Sequence, residues 1–150
     1  MLWDTDRAAA IERGNLLHYI LSLIEYESDI EPVLSQLKES GELASDDFEE
    51  VSEILNRLVK HGELKKYFND FTDVKNEQEI ILENGIILRP DRLVFENQKV
   101  SVIDYKTGAR RVEHRDQIIT YGEALKNMGF TVEDLIVVYL NDTINTEFIN

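Results

Sequence analysis

The stretch "VIDYKTG", Val102–Gly108, decides how this chain is read. It begins with strand-forming residues and ends on a turn residue, Gly108. Residues two apart on a strand share a face, so Asp104 and Lys106 project together. One reading is a strand reaching the surface. The other is a metal-dependent active site. The acid-x-Lys pattern alone is a weak signal. It occurs three times, at Glu63–Lys65, Asp73–Lys75 and Asp104–Lys106, and only the last closes an apolar strand.

Upstream, "VKNEQEIILE" and "GIILRPDRLVFE" predict a hairpin turning near Asn84-Gly85. Asp91 falls within its second strand, directly after Pro90. Proline inside a strand marks an edge or a bulge, and bulges often re-aim side chains beside active sites. A further turn at Glu96-Asn97-Gln98 leads into "KVSVIDYK". Adjacent antiparallel strands then bring Asp91 towards Asp104. Two neighbouring carboxylates repel unless a cation or a proton lies between them. Oxygen ligands of this kind favour Mg2+ or Mn2+.

Downstream, "EHRDQIITYGEALKNMG" predicts a helix ended by Gly129, and "DLIVVYL" a buried strand. The first half, from Asp6 to about Phe68, reads as helical. Ile11, Leu17, Ile20, Leu21 and Ile24 fall at helical spacings. Gly14 interrupts them and marks either a helix boundary or a close approach. Ser45 reads as the cap of a helix with an acidic first turn that stops near Gly62. "ELKKYF" reads as a short turn or helix, and Gly41 as part of a connection. The expected order is helices, three strands, helix, strand. That is an α/β fold, a mixed β-sheet flanked by helices with a helical N-terminal portion, in one domain.

Composition agrees. The chain has 150 residues, 43% hydrophobic and 31% charged, enough for one domain with its own core. No apolar run is long enough to span a membrane, and "MLWDTDRAAAIERGN" does not read as a signal peptide. The chain contains no cysteine, which excludes disulfides, thiolate zinc sites and iron–sulfur clusters and fits a cytoplasmic location. The net charge is -14. Such acidity argues against a free-standing nucleic-acid binder and suits a site for hard cations. The charge is uneven, however. "KTGARRVEHR" is a local basic patch, in which Arg110, Arg111 and Arg115 read first as an exposed face and second as a DNA contact.

Four segments together resemble the PD-(D/E)XK nuclease superfamily, and within it the nuclease domains of RecB- and AddA-type helicase–nucleases. "RGNLLHYIL" resembles the opening Gly-x-x-x-His helix, "RPDRLVF" the first acidic motif, "VIDYKTG" the central acid-x-Lys motif, and "QIITY" the trailing Gln-x-x-x-Tyr motif. They run in the family's order from Gly14 to about Leu125. The resemblance implies a restriction-endonuclease-like fold. It also implies that His18, Asp91, Asp104 and the backbone carbonyl of Tyr105 hold one or two Mg2+ or Mn2+ ions. Asp91, Asp104 and Lys106 would be the catalytic residues, with Lys106 orienting the attacking water. Gln117 and Tyr121 share one helix face and would fix a DNA phosphate or brace the site. Glu77 and Glu79 are further carboxylates with no firm register.

The same resemblance implies exonuclease-type hydrolysis of DNA in recombination and repair, on single-stranded ends delivered by a helicase in the same chain or complex. No nucleotide-binding Gly-x-x-x-x-Gly-Lys-Ser/Thr loop occurs here, so the chain reads as one nuclease domain over residues 1–150, either the C-terminal part of a longer helicase–nuclease or a stand-alone relative. Each residue also has a plainer reading. His18 is a core or surface histidine, Asp91 an ion-pair partner of Arg92, and Lys106 a solvated strand end. The alternative for the whole chain is a nuclease-fold module that binds DNA or assembles without cutting.

Overall fold

The computed structural model describes residues 2–150, with side chains from residue 7 onward. Three helices come first: α1 (Leu2–Ser22), α2 (Ile30–Ser40) and α3 (Ser45–Lys60), with short 3-10 turns at Glu27–Asp29 and Lys65–Tyr67. Leu17, Ile20, Leu21 and Ile24 are buried as their spacing predicts, but Ile11 is 55% exposed and leaves the core. α3 buries Val51, Ile54, Leu55, Leu58 and Val59 on one stripe. Its cap is Ala44 rather than Ser45, which is already the first helical residue, and no side chain caps it. Gly41 closes α2 in the left-handed region, at φ 83, where an L side chain is strained.

The second half is β1 (Asp73–Asn76), β2 (Ile80–Ile81), β3 (Ile87–Leu88), β4 (Arg92–Glu96), β5 (Lys99–Lys106), α4 (Val112–Asn127), β6 (Thr131–Leu140) and β7 (Ile144–Ile149). The expected mixed sheet is present, with five strands in the order β1-β4-β5-β6-β7. Only β5 and β6 run parallel, joined through α4; the other pairs are antiparallel. The hairpin differs from its expected form. Each long strand breaks in two, so β1 pairs with β4 while β2 and β3 form a separate ribbon turning at Gly85. The break falls at Glu77, at φ 51, and at Pro90 on the opposite side. Asp91 therefore lies in the bend ahead of β4, not within a strand. The bulge belongs elsewhere, where β5 and β6 slip register between Val100 and Val102. Strand β7 was not anticipated.

Both faces of the central strands are covered, as a parallel pair requires. Ile103 and Tyr105 face a core built with the N-terminal helices, together with Ile136 and Val138. Val100 and Val102 face a second core built with Ile118, Tyr121 and Leu125 of α4. By the same alternation Asp104 and Lys106 point towards α4.

Candidate active site

α1 comes close to the end of β5 because of Gly14. A Cβ there would meet Thr107 Oγ1 at 3.2 Å, so the close approach is the correct reading of this glycine and it lies inside the helix. One turn further, His18 crosses to β5. Its Nε2 lies 2.8 Å from the carbonyl oxygen of Tyr105, and its Nδ1 lies 3.0 Å from the carbonyl oxygen of Gly14. Carbonyl oxygens only accept, so both ring nitrogens donate and the imidazole is a cation. Asp91 Oδ2 stands 3.4 Å from Nε2. The Asp91 hydrogen bond outweighs burial and raises the His18 pKa to about 9.

Asp91 is fixed from the other side by Tyr105, whose backbone N–H donates to its Oδ2 at 2.8 Å. Burial opposes the Asp91 charge. Hydrogen bonding with His18, with Asp104 and from the Tyr105 amide nonetheless holds its pKa below the usual range. Asp104 is the opposite case. It is 2% exposed, and burial followed by the Asp91 charge raises its pKa to about 7. Two carboxylates pushed apart in this way are a common arrangement at functional sites.

Lys106 sits between two partners. Its Nζ is 3.0 Å from Asp104 Oδ2 and 2.6 Å from Gln117 Oε1 on α4. The first contact is an ion pair outside hydrogen-bond alignment, for Asp104 Oδ2 is buried and makes no hydrogen bond among the described residues. Tyr121, one turn after Gln117, is only 5% exposed and packs in the apolar cluster beneath α4. A side chain so covered suits bracing the helix rather than meeting a phosphate.

Arg92 does not pair with Asp91. Neighbours on an extended chain point to opposite faces, and Arg92 turns inward with no exposure at all. Its guanidinium donates to the carbonyl oxygens of Ile24, Glu25 and Tyr67 and lies over the Phe68 ring, 4.0 Å from the centroid. It thereby ties the end of α1 and the Lys65–Tyr67 turn to the strand that carries Asp91. Sequence patterning missed it, because a lone arginine on a strand reads as solvated. Glu77 and Glu79 stay outside the site. The Glu77 amide donates to the Asp91 carbonyl, and the Glu79 carboxylate pairs with Arg89 at 2.6 Å.

Among the described residues no three His, Cys, Asp or Glu side chains gather into a ready metal cage. The donors that converge are of mixed kind: two carboxylates, an imidazole and the Tyr105 carbonyl. A buried carboxylate oxygen without a hydrogen-bond partner, beside a second carboxylate, fits a hard divalent cation. His18 fits it only after its Nε2 proton leaves, since a ligating imidazole must be neutral there.

A family model of the PD-(D/E)XK nuclease superfamily matches residues 2–145. The chain belongs to the PD-(D/E)XK nuclease superfamily. No curated protein matches it. Among solved structures, the crystal structure of SSO0001 is similar at 24% identity with a TM-score of 0.39, over 89% of this chain and 66% of that one. Members of the superfamily typically use divalent metals and act on nucleic acid. Among the described residues no helix is long and apolar enough to cross a membrane.

Proposed function

We propose that this superfamily member is a divalent-metal-dependent deoxyribonuclease of the RecB/AddA type, acting as a single nuclease domain on single-stranded DNA ends. The observation that carries this reading is the meeting of His18, Asp91, Asp104 and Lys106 at one end of β5, from α1, the bend before β4, and β5 itself. A DNA-binding or assembly module has no need of a lysine held beside a buried, charge-frustrated carboxylate.

Asp91, Asp104, the Tyr105 carbonyl and deprotonated His18 would hold Mg2+ or Mn2+. When bound, such a cation supplies a water of lowered pKa and charge stabilisation at the scissile phosphate. The protein's residues do the rest. Asp91 is locked by the Tyr105 amide, so its carboxylate is pre-oriented. Lys106 is steered by Gln117 and offers its ammonium to the attacking water and to the charge that develops on the phosphate oxygens. Tyr121 holds Gln117 in place by fixing α4 against the sheet. A helicase module, in the same chain or complex, would deliver separated strands in recombination and repair.

The test is cleavage of end-labelled single-stranded DNA at low salt with Mg2+ or Mn2+, comparing the protein with Lys106→Ala and Asp104→Ala. Both variants are expected to lose most cleavage. Cleavage at the unmodified rate by both overturns the mechanism.

A further inference from the structure

A cleft of about 640 Å3 opens at the end of β5, between α1, the turn after β5 and the turn joining β6 to β7. Its walls carry Arg7, Arg13 and Arg111. Three guanidinium groups around one depression stand out on a chain of net charge -14. Arg13 is partly neutralised by Glu50 at 2.6 Å, while Arg7 and Arg111 are exposed. Among the described residues Asp142 is the one acid on the lining. The far wall is fixed: the Gly108 amide donates to Asn141 Oδ1 and Asn141 Nδ2 donates to the Gly108 carbonyl, both at 3.0 Å. Ile11 and Leu140 also line it, and this accounts for the exposure of Ile11.

The cleft begins at Thr107 and Gly108, directly after Lys106, and at Gly14, one turn before His18. Resting on the nuclease reading above, we propose that it seats the sugar-phosphate backbone of one DNA strand next to the scissile bond and holds it by charge, without regard to base. Arg7 and Arg111 each neutralise a phosphate. Among the described residues its lining has no aromatic side chain, so none of them offers a stacking platform of the kind that grips bases. Its volume lies within the range of small-ligand pockets, ~300–1,000 Å3, and admits a short stretch of one strand. Contacts limited to phosphates position a strand and carry no sequence information.

The experiment measures binding of labelled oligo(dT) and oligo(dA) across a salt series, in chelator so that no cleavage intervenes. For the unmodified protein the two oligomers are expected to bind within a few-fold of each other. In the double variant Arg7→Ala/Arg111→Ala the slope of log K against log salt is expected to flatten by about 1.4, at ~0.7 per lost contact on a single strand. Arg89→Ala, directly after β3, removes one such charge away from the cleft and is expected to leave the slope unchanged. Melting temperatures check that each variant is folded. An unchanged slope in the double variant, an equal flattening in Arg89→Ala, a tenfold preference for one oligomer, or no binding by the unmodified protein at low salt overturns the proposal. Cleavage is not read in this experiment, so failure of the nuclease reading shows separately, in the Lys106→Ala comparison.

Discussion

The Lys106 ammonium lies 2.6 Å from Gln117 Oε1, a bond from the end of β5 to the second turn of α4. It makes Gln117 a positioning residue for the lysine. Lys106→Ala is expected to lower cleavage on the order of 10²–10³-fold, as loss of a charged stabilising group does. Gln117→Ala leaves the ammonium in place but unsteered, and is expected to lower kcat on the order of 10- to 100-fold. Neither change is expected to reduce the rise in melting temperature caused by Mn2+, because neither removes a ligand. A Gln117→Ala protein with unaltered kcat would assign Lys106 its position by some other means.

His18 and Asp104 predict how metal-free stability varies with pH. Both have folded pKa values raised above their ordinary ones, His18 to about 9 and Asp104 to about 7. A group raised on folding contributes stability that is complete below its unfolded pKa and is lost as pH rises through the folded one. The metal-free melting temperature is therefore expected to fall from about pH 4 to 7 through Asp104, and from about pH 6.5 to 9 through His18. Asp91 works in the other direction. Its pKa is lowered, so its contribution is lost only as pH falls below the ordinary carboxylate range. Thermal melts in chelator between pH 4 and 9 check this. His18→Gln is expected to remove the upper part of the fall and keep the lower.

The same two protons compete with metal. Occupation of His18 Nε2 and Asp104 Oδ2 by a cation requires both to leave, so Mn2+ affinity is expected to climb between pH 6 and 9 with proton release. Calorimetry in buffers of different ionisation enthalpy measures that release. In His18→Gln the release above pH 7.5 is expected to vanish. An imidazole donor also favours Mn2+ over Mg2+, so Mn2+ is expected to give the larger stabilisation at equal concentration.

Arg92 carries a prediction about architecture. It is fully buried, and its guanidinium satisfies the carbonyl oxygens of Ile24, Glu25 and Tyr67. Arg92→Leu keeps bulk but removes the donor to the Glu25 and Tyr67 carbonyls, while Ile24 still accepts from Asn76 Nδ2, at roughly 1–3 kcal/mol for each buried group left unsatisfied. A loss on the order of 3 kcal/mol or more is expected in urea melts. Arg92→Lys supplies a charge without the planar fork that reaches several acceptors, and is expected to recover only part of it.

How far the sequence spoke depends on the residue. Asp104 and Lys106 were legible because strand alternation alone puts them on one face, and the apolar run before them signals a buried strand. The N-terminal helices were legible from their periodicity. Ile11 was not, because periodicity cannot tell a core position from one that lines a cleft. The β1–β4 hairpin was drawn too long, since local pattern does not show that Pro90 and Glu77 break opposite strands at matching positions. Strand β7 escaped because it is an edge strand with one buried residue, Ile149, and too little apolar alternation to announce itself. Arg92 escaped because its partners are backbone carbonyls far away in the chain, which no pattern of side chains records.

Asp104 gives the sharpest test, because stability and function should move in opposite directions. The residue is 2% exposed, lies beside the Asp91 charge, and has a carboxylate oxygen without a hydrogen-bond partner among the described residues. Burial and Asp91 together outweigh the favourable Lys106 ion pair, which is why its pKa is raised rather than lowered. Above pH 7 the metal-free fold therefore carries an ionised group that the unfolded chain accommodates better. Asp104→Asn keeps the shape and removes that charge, so the metal-free protein at pH 8 is expected to melt at a higher temperature than the unmodified one. At pH 4.5 the folded Asp104 carboxyl is protonated and neutral like the Asn amide, and the difference is expected to shrink. The same variant is expected to lose the Mn2+-induced rise in melting temperature and nearly all cleavage. A variant that is less stable than the unmodified protein at pH 8 in chelator would show that Lys106 already compensates the charge. A variant that keeps the full Mn2+ response would remove Asp104 from the metal site.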